Sequence, residues 1–91
     1  MEIASNDGSL LKEFCKKNNN LCLGVEPAKN LQKYYPKYIK LINNFFSYKL
    51  SKLIKKNYNK FDIIIARNVV AHLNNPNDVF KGVENIINND G

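Results

Sequence analysis

Four short apolar runs, MEIA, LCLGVE, YIKLI and FDIIIA, alternate along the chain with segments of helical periodicity. That alternation is the signature of βαβ units, in which helices join parallel strands and pack on the sheet faces. LCLGVE and FDIIIA are apolar almost throughout, as parallel strands covered on both faces must be. Strands are therefore predicted over residues 1–4, 21–26, 38–42 and 61–66, the first a stub that runs straight into Ser-Asn-Asp-Gly. Between them, Leu10, Leu11 and Phe14 share one face of a helix begun near Gly8, and Asn18-Asn19-Asn20 breaks it. Pro27 suits a first helical turn, so residues 28–35 can be helical. Ser47 is placed to cap a helix carrying Leu50, Leu53 and Ile54. Asn75-Pro76 opens a last helix with Val79, Phe80, Val83, Ile86 and Ile87, and Asn-Asp-Gly closes the sequence as a turn. Right-handed crossovers then give a small open α/β sheet of about four parallel strands. The fourth strand is expected at an edge, its Ile63-Ile64-Ile65 side unpaired, and such an edge calls for a partner chain or self-association to cover it.

The 91 residues suffice for one domain, residues 1–91, and 44% of them are apolar, too many for a disordered chain. No apolar run reaches the roughly 20 residues of a membrane helix, and the start lacks a secretory layout. The expectation is a cytoplasmic protein without a membrane partner. A net charge of +6 raises the question of nucleic acid. The positive residues are lysines spread along the chain, with Arg67 the lone arginine, whereas phosphate and base recognition lean on clustered arginine. A solvated lysine surface is the plainer account. Cys15 and Cys22 match no metal spacing and read as buried or half-buried thiols.

In open α/β sheets ligands bind beyond the carboxyl ends of the strands. Those ends carry Ala4-Ser5-Asn6-Asp7-Gly8, Glu26, Asn43-Asn44-Phe45-Phe46 and Ala66-Arg67-Asn68, with His72 shortly after. Glu26, about twenty residues after the first loop, can accept hydrogen bonds from both hydroxyls of a ribose and would repel a phosphate. Alternatively it is a carboxylate favoured by a helix N-terminus. Gly8 either admits a ligand to the backbone or merely turns the chain. A dinucleotide loop, G-x-G-x-x-G, would place its glycines at Ala4, Asn6 and Ser9, and none is glycine. The pattern E-x-G-x-G-x-G falls instead on Glu2, Ala4, Asn6 and Gly8, matching at the acid and the last glycine. Asn44 is suited to an adenine edge and Phe45 to its face, while Phe46 reads equally well as core. Asn68 could touch ligand or simply turn the chain. His72 is a proton acceptor, a substrate contact or a structural histidine; Arg67 binds an anionic group or pairs with a nearby acid.

Taken together, EIASNDGSLL, GVEPAKNL, INNFF and FDIIIARNVVAHL, in this order and spacing, resemble the cofactor core of the sugar C-methyltransferases. These are class I enzymes that use S-adenosylmethionine to methylate a ketosugar nucleotide at carbon. The resemblance spans essentially the whole chain and is most specific in SNDGSLL and ARNVVAH. It implies a Rossmann-like sheet, an incomplete class I methyltransferase core truncated at both ends. It implies that Glu2, Ala4, Ser5, Asn6 and Gly8 line the methionine side of the cofactor and that Glu26 holds the ribose. Asn44 and Phe45 would flank the adenine, and Ala66 and Asn68 would close the site. Members of that family are longer, with a cysteine-bearing zinc region and a Tyr-His-Glu-His segment for acid–base chemistry. Neither stretch occurs in this sequence, so no catalytic residue and no metal site is carried over. The alternative implied is a non-catalytic remnant or one part of a split methyltransferase.

Overall fold

The computed structural model describes residues 1–15, 21–67 and 75–91. It runs β1 (Glu2–Ile3), α1 (Ser9–Cys15), β2 (Leu23–Val25), a 3₁₀ helix (Lys29–Tyr34), β3 (Lys40–Ile42), α2 (Tyr48–Tyr58), β4 (Ile65–Ala66) and α3 (Pro76–Ile86). The four strands form one parallel sheet of order β3-β2-β1-β4, the α/β architecture expected of a partial Rossmann-like core. The helical segment after Pro27 is a 3₁₀ helix, with no fully buried residue to anchor a longer α-helical face.

Period two along the strands sorts the side chains. Met1, Ile3, Leu23 and Val25 enter the main core with Leu50 and Ile54 of α2, Val79 and Ile86 of α3, and Phe46 and Phe61 from the segments flanking α2. Leu23, Val25, Ile54 and Ile86 are all but sealed from solvent, each contributing about 1.5–3 kcal/mol of apolar burial. A smaller cluster, Leu11, Cys15, Cys22 and Ile39 with Tyr35 against it, involves α1 and the flanks of β2 and β3.

Ser47 caps α2 as its sequence position predicts, accepting from the Leu50 N–H at 3.0 Å, and Asn75 caps α3 through the Asp78 N–H. Asp78 also accepts from the Tyr48 N–H at 3.0 Å, joining the starts of the two helices. The predicted inward faces are narrower in fact. Phe14, Leu53 and Phe80 are each more than half exposed, because Leu11 and Cys15, Leu50, Ser51 and Ile54, and Val79, Gly82 and Ile86 are the residues turned inward. Ser51 is buried without penalty: its hydroxyl donates to the Tyr48 carbonyl and accepts from Asn85 Nδ2. Ile87, expected on the last helix, is instead extended and bridges Phe61 in parallel, the Phe61 N–H donating to Ile86 O and the Asn88 N–H to Phe61 O. Regular pairing in the fourth strand is correspondingly confined to Ile65–Ala66. β4 does lie at the sheet edge, with Ile63 exposed beside it.

The thiol expectation is overturned. Cys15, ending α1, and Cys22, just before β2, are joined in a disulfide, their Cα atoms 6.4 Å apart and both side chains buried. That separation lies within the range a disulfide can span. Among the described residues no helix is long and apolar enough to cross a membrane.

Candidate functional site

The strands end in step. Ile42, Val25, Ile3 and Ala66 lie side by side across the sheet, so Asn43, Glu26, Ala4 and Arg67 form the row just beyond its carboxyl edge. From β1 the chain winds outward through β2 to β3, then returns to the other side of β1 as β4. A crevice opens at such a reversal.

The loop after β1 is built from unusual backbone. Ala4, Asn6 and Gly8 have φ of 55°, 57° and 78°, the left-handed region that L-residues other than Asn seldom enter. These are the three positions at which E-x-G-x-G-x-G asks for glycine. The spacing is therefore a record of backbone shape, retained here with only one glycine. The Ala4 and Ser5 N–H groups both donate to the Val25 carbonyl, at 2.7 and 3.3 Å, and the Gly8 N–H to Ser5 O. Asp7 accepts from both the N–H and the hydroxyl of Ser9, starting α1. Those bonds to Ser9 hold the Asp7 carboxyl below its ordinary range.

Glu26 is buried at the tip of β2, and both carboxylate oxygens are engaged: Oε1 accepts from the Asn6 N–H and Oε2 from the Ala28 N–H, each at 2.9 Å. A carboxylate oxygen has two lone pairs, so each retains an acceptor position. Asn43, which sequence reasoning left without a role, braces this corner by donating from Nδ2 to the Glu26 carbonyl at 3.2 Å.

Glu2 is sealed within the sheet at 1% exposure. Arg67 Nε lies 3.6 Å from its Oε2, which settles the lone arginine as the partner of a local acid. Among the described residues Oε1 has no hydrogen-bond partner. Burial pushes the Glu2 carboxyl above its ordinary value, and Arg67 opposes that rise. A buried, unpartnered carboxylate oxygen is costly, and here it sits in the strand from which the topology reverses.

Asn44 and Phe45 follow β3. The Asn44 Oδ1 accepts from the Phe45 N–H at 2.8 Å, and the Phe45 ring is 75% exposed, whereas Phe46 turns into the core. Ala66 ends β4 opposite Ile3. Asn68 and His72 lie outside the described residues.

Tyr35 was not legible as part of this region. From just past the 3₁₀ helix its hydroxyl reaches Ser5 and Asn6, and its ring lies against Gly8 and Gly24. Gly8 thus serves the turn and also leaves room for an aromatic ring on the protein side of the loop. At the opposite, amino-terminal end of the strands, a mainly apolar cleft of about 280 Å³ runs from Leu11 and the disulfide to Phe61 and Ile63.

A family model described as "Methyltransferase domain" matches residues 1–91. The chain belongs to the methyltransferase domain family. No curated protein matches it. Within this methyltransferase domain, the residues present suit a cofactor carrying a ribose diol: among the described residues each Glu26 oxygen accepts one hydrogen bond and so keeps an acceptor position.

Proposed function

We propose that the carboxyl row of this methyltransferase domain binds S-adenosylmethionine, and that the reaction served is methylation at carbon of a ketosugar nucleotide or a similar small molecule. The observation that carries the cofactor reading is the position of Glu26. Its carboxylate is buried one residue beyond β2 and tied through Asn6 to the left-handed loop after β1. Donors on a diol would use the remaining lone pairs of that carboxylate. Ala4, Ser5, Asn6 and Gly8 would face the amino-acid portion, with the Glu2 carboxyl sealed behind them on the methionine side. Asn44 and the exposed Phe45 ring would take the adenine, and Ala66 with Asn68 would border the transfer position. When bound, the cofactor supplies an electrophilic methyl group. The chain's own contribution is orientation, a factor that in favourable cases is worth about 7–11 kcal/mol of barrier. The sugar-nucleotide substrate is supported by the SNDGSLL and ARNVVAH segments alone.

Calorimetric titration with S-adenosylhomocysteine tests the cofactor reading. Wild type should bind, and Glu26→Ala should weaken binding at least about tenfold, the cost of losing one charged hydrogen-bonding partner. Phe45→Ala should also weaken binding, and because its ring is solvent-exposed it should leave the melting temperature unchanged. Equal affinities for all three proteins, or tighter binding of a nicotinamide dinucleotide, would remove the assignment.

A further inference from the structure

Asn6 is held at both of its backbone polar groups by side chains that follow β2 in the chain. Its N–H goes to Glu26 Oε1 at 2.9 Å, and its carbonyl accepts from the Tyr35 hydroxyl at 2.6 Å. A phenol has one proton, and the carbonyl takes it. The 2.5 Å contact between Tyr35 Oη and Ser5 Oγ therefore has Ser5 as the donor. Ser5 is itself buried, so this is a fixed partner rather than a surface rotor.

The Tyr35 ring completes the arrangement. A Cβ on Gly8 would come within 2.9 Å of Cε2 and 3.1 Å of Cζ, and a Cβ on Gly24 within 3.1 Å of Cε2. One aromatic side chain thus fills the space left by a loop glycine and a strand glycine at once. Behind it lie Leu11, Ile39 and the disulfide of Cys15 and Cys22, which give the ring a packed backing. Burial pushes the phenol above its ordinary value; the carboxylates of Glu26, Glu2 and Asp7 add to the rise, and the Ser5 hydrogen bond opposes it. The donor to Asn6 is therefore protonated throughout the neutral range.

We propose that Tyr35 is the positioning residue of the loop after β1: it holds the Ser5 hydroxyl and the Asn6 carbonyl while its ring wedges between Gly8 and Gly24, and so fixes the backbone that the cofactor's amino-acid portion meets. The cofactor half of this statement rests on the function proposed above; the clamp itself rests on geometry alone. Tyr35 touches no reacting atom. It acts through Ser5, Asn6 and Gly8, and through Asn6 on the placing of Glu26.

Tyr35→Phe keeps the ring and deletes the hydroxyl. Amide hydrogen exchange by NMR reads the loop, and titration with S-adenosylhomocysteine reads the site. The Asn6 amide, which bonds Glu26 and not Tyr35, should exchange about tenfold faster in the variant. The Ser51 and Ile87 amides, bonded to Ser47 O and Val83 O in the opposite layer, should be unchanged. Affinity should fall about tenfold. Unchanged Asn6 exchange overturns the proposal, as does a uniform rise at all amides, which would mark mere loss of stability. Faster Asn6 exchange with undiminished affinity overturns the positioning role. Faster Asn6 exchange in a protein whose wild type does not bind the ligand confirms the clamp and removes the cofactor reading instead.

Discussion

Ala4 sits in a conformation that its methyl group disfavours. A left-handed φ of 55° costs an alanine about 1–2 kcal/mol relative to ordinary backbone, and the cost persists because Val25 O fixes the N–H and Glu26 fixes Asn6 two residues on. Ala4→Gly should relieve this strain. Offset by the greater freedom of glycine in the unfolded chain, the net gain should be about 0.5–1 kcal/mol, read as a higher urea midpoint with unchanged slope. A loss of stability would show that the local backbone is less constrained than its φ implies. This is also where the sequence was most informative. The every-second-residue spacing of Ala4, Asn6 and Gly8 already matched a glycine pattern, although two of the three are not glycine. Tyr35 could not be found the same way, because nothing in its neighbours signals that the chain folds its hydroxyl back onto Asn6.

At the scale of elements, sequence periodicity located the strands and helices of the described residues but overestimated the extent of the strands. Apolar runs continue past the paired residues because burial in a parallel sheet needs apolar side chains before and after the ladder as well as within it. Phe61 shows this: it is core, and its backbone pairs with Ile87 instead of with β1. The helix faces were drawn too wide for the opposite reason. A small sheet leaves room for only a narrow stripe from each helix, so Phe14, Leu53 and Phe80 remain at the margin. The link from α1 to β2 is covalent, and spacing alone could not reveal it. Closing a short loop of separation 7 by the Cys15–Cys22 bond should contribute roughly 2–3 kcal/mol, on the chain-entropy account. Adding a reductant should lower the denaturant midpoint accordingly, and Cys22→Ser should abolish that sensitivity. A midpoint indifferent to reductant would contradict the bond.

For the molecule as a whole, Glu2 contributes to the slope of stability against acidity. Its carboxyl is raised above the ordinary 4.5 by burial, so across the window between that value and its folded value the native state holds more proton than the unfolded chain. Stability contributed by this group is therefore complete below the ordinary value and declines as pH rises through the window. Glu2→Gln removes the titration. The variant should gain stability over wild type at about pH 7.5 and gain less, or nothing, at about pH 4, as measured by urea unfolding at each. An equal difference at both would mean that Glu2 does not contribute to the slope. On the cofactor reading proposed above, the same variant should also bind S-adenosylhomocysteine more weakly, since Glu2 would then no longer offer a carboxylate near the ammonium. Stability and binding would then move in opposite directions.

The pairing of β1 has a consequence in time. Glu2 aligns with Gly24 on one side and with Ile65 on the other. In chain order β1 precedes both of its neighbours, and the second of them, β4, pairs with it across about sixty intervening residues. Until β4 is in place, Met1 and Ile3 lack part of the cover they have in the finished core. Such distant pairing also favours slow acquisition of the native state once synthesis is complete.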